Sequence, residues 1–292
     1  MSVDDFHTAY DTVLAKWPAG TTALDLRSPY GTTRVLAHGP QDAEPLVLLP
    51  GGGAGATVWC ALAAELGDRY RVYAVDPPGD AGRGVAGDRP LARPADLTAW
   101  LTSVLDGLGL DRTNLGGHSY GAWQALGHAL HDPGRIGRLV LLDPTRCFAG
   151  LRPGYLLRAL PMLARPSAER VRAFLAWECE GAAVDEDWQR QFALGAAELP
   201  RPKPVIGRRP GPAALRALDV PTLVLLAGRS RAHHLGKVAA GARALPDVRL
   251  ATLPGSSHHS LPAAGAGEVG ALLREFLGGG AAPAQAALGS SL

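Results

Sequence analysis

The chain predicts an α/β fold: a mostly parallel, doubly wound sheet with a helical cap inserted over one end. Three observations carry this expectation. Short apolar runs alternate with helical patterns, the rhythm of parallel strands covered on both faces. Glycine-rich turns stand where strands pass into helices, in LVLLPGGG and NLGGHSYGA. Between Pro144 and Val220 the alternation stops, and it resumes afterwards.

Taken in order, pieces around Thr22–Leu26 and Thr33–Ala37 read as an early antiparallel hairpin. The clearest strands follow at Leu46–Leu49, Val72–Val75, Thr113–Leu115, Leu139–Leu142, Thr222–Leu226 and Arg249–Thr252. Helical patterns answer them at Thr57–Leu66, Leu97–Leu108, Tyr120–His131, Lys237–Leu245 and Glu268–Leu277. The Arg- and Pro-rich interruption holds three further helical stretches, Tyr155–Leu163, Ala168–Glu178 and Asp187–Leu199, and the loop RPKPVIGRRPGP. The expected organisation is a core of residues 1–143 and 221–277, a helical cap over 144–220, and a disordered tail over 278–292, which has no periodic apolar face.

Composition narrows the function. Hydrophobic residues make up 47% and charged residues 19% of the 292, enough for one large core. The net charge of +2 comes from 29 basic and 27 acidic residues spread along the chain, which leaves no footprint for nucleic acid or an anionic membrane. Cys60, Cys147 and Cys179 are odd in number and widely spaced, so neither a zinc site nor a disulfide framework is indicated. The N-terminus MSVDDFHTAY carries acids where a signal peptide carries bases, and a cytoplasmic protein is expected. Leu46–Ala64 is a run of 19 uncharged residues, the length of a membrane span. Pro50, Gly51, Gly52, Gly53 and Gly55 inside it would break a lipid-facing helix, so a strand, a glycine loop and a helix explain it better.

The chemistry concentrates in GGHSYGA, where Gly117, His118, Ser119, Tyr120 and Gly121 form G-x-S-x-G. The motif alone is weak, but a strand precedes it and a helix follows, the setting of a nucleophile elbow. The turn is too tight for side chains at Gly117 and Gly121, and the Tyr120 amide at the helix start faces a developing oxyanion. A glycine-rich turn with an incidental serine is the plainer alternative.

With four landmarks in order, LVLLPGGG, VYAVDPPGDAGRG, GGHSYGA and LPGSSHHSLP, the chain resembles the α/β-hydrolase family over about residues 20–277. That resemblance implies a triad in the order Ser…Asp…His. His258, beyond the last clear strand, stands where the family's histidine is expected, with His259 the competing neighbour. The acid departs from the pattern: the loop GRSRAHHLGK after TLVLLAG contains no Asp or Glu. Asp143, at the carboxyl end of LVLL, is the remaining well-placed carboxylate, since some family members carry the acid there. A carboxylate that merely orders the turn at Pro144 is the alternative, and Glu178 and Glu180 in the cap are next in line. PGGGAGA resembles the family's oxyanion loop with Pro50-Gly51 in place of His-Gly, so the second oxyanion donor is the Gly52 amide.

The expectation is a serine hydrolase for a small-to-medium hydrophobic ester, thioester or lactone, acting through an acyl-enzyme without metal or organic cofactor. Two alternatives stand beside it. The same scaffold hosts lyases, cyclases and ligand-binding receptors. Gly51, Gly53 and Ala56 also fit G-x-G-x-x-A with Asp76 at the next strand end, which reads as a dinucleotide-binding oxidoreductase.

Overall fold

A computed structural model describes residues 2–200, 204–264 and 266–279. Alternation along the central strands splits their side chains into two cores, one on each face of the sheet. Leu46, Leu48, Val140, Leu142, Leu223 and Leu225 belong to one. Val47, Leu49, Leu139, Leu141, Val224 and Leu226 belong to the other. Strands buried on both faces must read as continuous apolar runs, which is why LVLL occurs three times, in β3, β7 and β8.

The strands are β1 (Thr22–Ser28), β2 (Gly31–His38), β3 (Glu44–Leu49), β4 (Tyr70–Asp76), β5 (Val85–Ala86), β6 (Thr113–His118), β7 (Ile136–Leu142), β8 (Thr222–Ala227) and β9 (Val248–Leu253). They form one sheet in the order β1-β2-β4-β3-β6-β7-β8-β9, with β5 paired to β2. The β1–β2 hairpin and its junction with β4 are antiparallel, and every pairing from β4 to β9 is parallel. The expected strands all appear, each longer by a residue or more.

The helices of the core are α1 (Val3–Leu14), α2 (Cys60–Leu66), α3 (Pro94–Gly107) and α4 (Tyr120–His131). Helices α5 (Pro153–Ala164), α6 (Ala168–Glu178), α7 (Glu186–Glu198) and α8 (Pro212–Arg216) lie between β7 and β8, and α9 (Leu235–Ala242), α10 (Ser260–Ala264) and α11 (Ala266–Leu277) close the chain. The helix expected over Thr57–Leu66 is divided, with a 3₁₀ turn at Ala56–Trp59 before α2. The Ala56 amide is committed to the Asp76 carboxylate instead of an intrahelical partner. Helix α1 goes beyond the expected elements. Ser2 and Asp5 form its capping box, and Phe6, Ala9, Tyr10 and Val13 give it a buried face. Phe6 and Tyr10 join Leu194 of α7 in a separate small core, so α1 braces the inserted helices from the opposite end of the chain. Lys16 adds ion pairs to Asp185 and Asp187, both at 2.6 Å. The tail expected to be disordered lies, from residue 280, outside the described residues. Among the described residues no helix is long and apolar enough to cross a membrane.

Candidate active site

Three strand ends build the site. After β6 the chain reverses into α4 through Ser119, whose φ of 53° and ψ of −110° lie outside the ordinary wells for an L-residue. A Cβ on Gly117 would strike the backbone of Gly121, and one on Gly121 would strike the carbonyls of Leu49 and Pro50. Both glycines are therefore dictated by the closeness of the turn. The Ser119 amide donates to the Leu142 carbonyl at 3.0 Å, tying the elbow to the end of β7.

Asp143 follows β7 directly, with φ of 39° and no exposed surface. Its Oδ1 accepts from the Ala227 amide at 3.1 Å, and its Oδ2 accepts from the Ser230 hydroxyl at 2.7 Å and from His258 Nδ1 at 2.6 Å. His258 Nε2 stands 2.9 Å from Ser119 Oγ. The structure thus brings Ser119, His258 and Asp143 into one continuous relay, although Asp143 comes one strand earlier than the family pattern has it. Register explains the reach: Leu142 pairs with Leu225, so the ends of β7 and β8 are adjacent.

Electrostatics follow from burial and pairing. Burial would raise the Asp143 carboxyl, but the close approach of His233 and the bond from His258 hold it far below the usual carboxylate range. Burial would lower His258, yet the bond to Asp143, its charge and that of Glu178 leave the imidazole above its ordinary value. His118, fully enclosed, is pushed well below its ordinary value by burial and by the neighbouring His258 and His259.

The loop after β3 faces the elbow, and Gly52 lies against the Tyr120 side chain. Neither the Gly52 nor the Tyr120 amide has a protein acceptor among the described residues. Two features missing from the sequence reading hold this loop without a histidine of its own. Asp76 accepts from the Ala56 and Arg83 amides and from Tyr10 Oη at 2.8 Å. His118 packs on Gly51 and donates from Nε2 to the His258 carbonyl at 2.8 Å. These bonds also correct the dinucleotide alternative: Asp76 is wholly buried with both oxygens committed, so it offers nothing to a ribose.

A narrow cavity of about 20 Å³ opens above Ser119, walled by Gly51, Gly52, Ala54, Val58, His118, Trp188, Phe192, His258, His259 and Pro262. From the inserted helices, Trp188 and Phe192 reach this cavity, whereas Tyr155 packs edge-on against His258 at 6.2 Å and Leu156 is exposed. Larger surface grooves lie beside Arg152 and His234, away from the relay. Among the described residues, Asp143, His233 and His258 are the group whose ligand atoms approach closely enough for a metal. An ion there would take His258 Nδ1 away from Asp143. His233 Nε2 sits 3.2 Å from Asp143 Oδ1, off the line of a hydrogen bond. Histidine signals in AHH at 232–234 existed, but nothing in sequence linked them to Asp143.

Glu178 is the other surprise. The last residue of α6, it is buried and spent on the backbone and side chain of the His258 loop, with no contact to the relay carboxylate. Glu180 lies outward and pairs with Arg231.

The alpha/beta hydrolase family is matched over residues 46–269, and the chain belongs to that family. Carboxylesterase YbfK of Bacillus subtilis (strain 168) is 31% identical over 172 residues, covering 59% of this chain and 57% of the relative. The uncharacterized carboxylesterase nap of the same organism is likewise 31% identical over 172 residues, covering 59% and 56%. The chain therefore spans little more than half the length of these two relatives. The crystal structure of carboxylesterase CesB (YbfK) from Bacillus subtilis shares the fold at a TM-score of 0.87 and 24% identity, over 96% of this chain and all of that one. That of naproxen esterase from the same species gives 0.84 and 25% identity over 94% and 97%.

Proposed function

We propose that the protein is a serine carboxylesterase, acting on small-to-medium hydrophobic esters, thioesters or lactones in a reducing, cytoplasmic setting. The observation that carries this reading is the relay from Ser119 Oγ through His258 to Asp143, with steps of 2.9 and 2.6 Å at a strained elbow. His258 removes the Ser119 proton as Oγ attacks the acyl carbonyl, and Asp143 holds the imidazole tautomer and stabilises its charge. The Gly52 and Tyr120 amides receive the oxyanion. His258 then protonates the leaving alkoxide, and water releases the acyl group by the reverse proton path. The apolar wall of Ala54, Val58, Trp188 and Phe192 suits a short neutral acyl or aromatic group. The carboxylesterase relatives support the same chemistry, and three unpaired cysteines suit a reducing compartment.

A fluorophosphonate probe should label Ser119 alone, and Ser119→Ala should remove the label in intact-protein mass spectrometry. Short p-nitrophenyl esters should turn over while peptide amides do not. Equal labelling of both proteins removes the nucleophile. If Ser119 labels and every neutral ester fails, a non-hydrolytic acyl reaction replaces esterase chemistry.

A further inference from the structure

The cavity wall carries a second histidine–carboxylate pair that the relay leaves unused. Glu178 is 1% exposed, and every partner it has comes from the His258 loop or its own chain neighbour. Oε1 accepts from the His258 amide at 2.9 Å. Oε2 accepts from Ser257 Oγ at 3.1 Å, the His259 amide at 3.1 Å, His259 Nδ1 at 3.0 Å and Cys179 Sγ at 3.4 Å. Burial would raise this carboxyl, but the bond and charge of His259 hold it far below the usual range, so it is ionised and can only accept. An ionised acceptor on Nδ1 places the His259 proton there. Burial keeps the ring below its ordinary pKa despite Glu178, so it is neutral near pH 7 and its Nε2 carries a lone pair.

The ring cannot turn away. Phe174 and Phe192 pin it edge to face, at centroid distances of 5.7 and 5.8 Å. It borders the same cavity as Ser119, and its centroid is 5.0 Å from that of His258. Among the described residues, His259 Nε2 has no protein partner. Ser119 and His258 on the same wall are committed to the relay, and the His258 carbonyl to His118. A preorganised acceptor beside an apolar wall favours a ligand that brings it a donor and penalises one that leaves it dry.

We propose that His259, fixed by Glu178, is a specificity-determining residue whose Nε2 accepts a hydrogen bond from a hydroxyl or N–H group on the substrate, about two or three bonds from the carbonyl that Ser119 attacks. This rests on the esterase reading and narrows it to short esters bearing a donor near the carbonyl, such as β-hydroxy esters. Glu178 acts through His259 and is a positioning residue.

The test compares kcat/KM for methyl 3-hydroxybutyrate and methyl butyrate on the full chain. The native protein should prefer the hydroxy ester by about three- to tenfold, the worth of one net hydrogen bond. His259→Phe keeps a ring in that place and removes the acceptor, so the ratio of the two rates should fall to about one or below, whatever change the two esters share. Glu178→Gln should reduce the ratio in part, because the tautomer is no longer dictated. An unchanged ratio in His259→Phe, or an equal loss for both esters, overturns the proposal. Imidazole ¹⁵N NMR of Ser119→Ala gives a readout independent of turnover. Methyl 3-hydroxybutyrate, and not methyl butyrate, should shift the His259 Nε2 resonance; no shift with either overturns the proposal. Failure of the native protein to take the fluorophosphonate label, with that shift retained in Ser119→Ala, overturns the esterase reading alone and keeps the site.

Discussion

His258 and His259 are consecutive residues, each bonded through Nδ1 to a buried carboxylate, and their pKa values move in opposite directions. The difference lies in where the carboxylates come from and what else they hold. Asp143 belongs to the sheet, at the fixed end of β7, and concentrates its Oδ2 on His258 and Ser230. Glu178 arrives from the inserted helices and divides its charge among backbone amides, a serine and His259. On the proposed reading, one dyad moves a proton, and the other holds a loop and presents an acceptor. Burial lowers both rings: for His258 the bond and charge of Asp143, joined by the charge of Glu178, outweigh it, whereas for His259 burial, with the charge of His258 added, outweighs the bond to Glu178.

The most severe way to break the comparison is Asp143→Asn. The imidazole would lose its orienting charge while Ser119 and the cavity remain, and ester turnover should drop by about 10²–10⁴-fold with an unchanged circular dichroism spectrum. Near-normal turnover would mean that the relay runs without this acid. The matched change, Glu178→Gln, should cost far less in turnover of a plain ester.

Stability should show the opposite ranking for the cap carboxylate. Glu178→Ala would strand the Ser257, His258 and His259 donors in a buried loop, and chemical denaturation should show a loss of about 1–3 kcal/mol. A loss well under that figure would indicate that water replaces the carboxylate and that α6 contributes little to ordering the loop.

The smallest effect sharpens the contrast by pH. The base must be neutral to accept the Ser119 proton, and His258 is raised above its ordinary 6.5. Turnover should therefore fall as pH drops through a value above 6.5. In Asp143→Asn the raising influence is gone, and the acidic limb should move to lower pH; in Glu178→Gln it should move in the same direction by less. His259, already lowered, stays neutral across that range, so the native limb should titrate as a single proton. A two-proton limb would mean that both histidines must be neutral for turnover.

The elbow, the sheet and the histidine loop were legible in the residues because each is locally encoded. Period-two and unbroken apolar runs reveal buried strands, and Gly117 and Gly121 record a turn with no room for Cβ. His258 follows from its place after the last strand. Helix α1 has a local signal in its Ser2–Asp5 capping box, but its role depends on packing Phe6 and Tyr10 against Leu194, far along the chain. The division of labour between Asp143, Glu178 and Asp76 had no local signature at all. Each is an acid near a strand or helix end, and residues 76, 143 and 178 come to serve a loop brace, a relay and a clamp through contacts 20 to 115 positions away. Such roles depend on which strand ends adjoin and on how α6 lands on the His258 loop. Those distances arise from packing the inserted helices on a completed sheet, and no spacing within the chain records them.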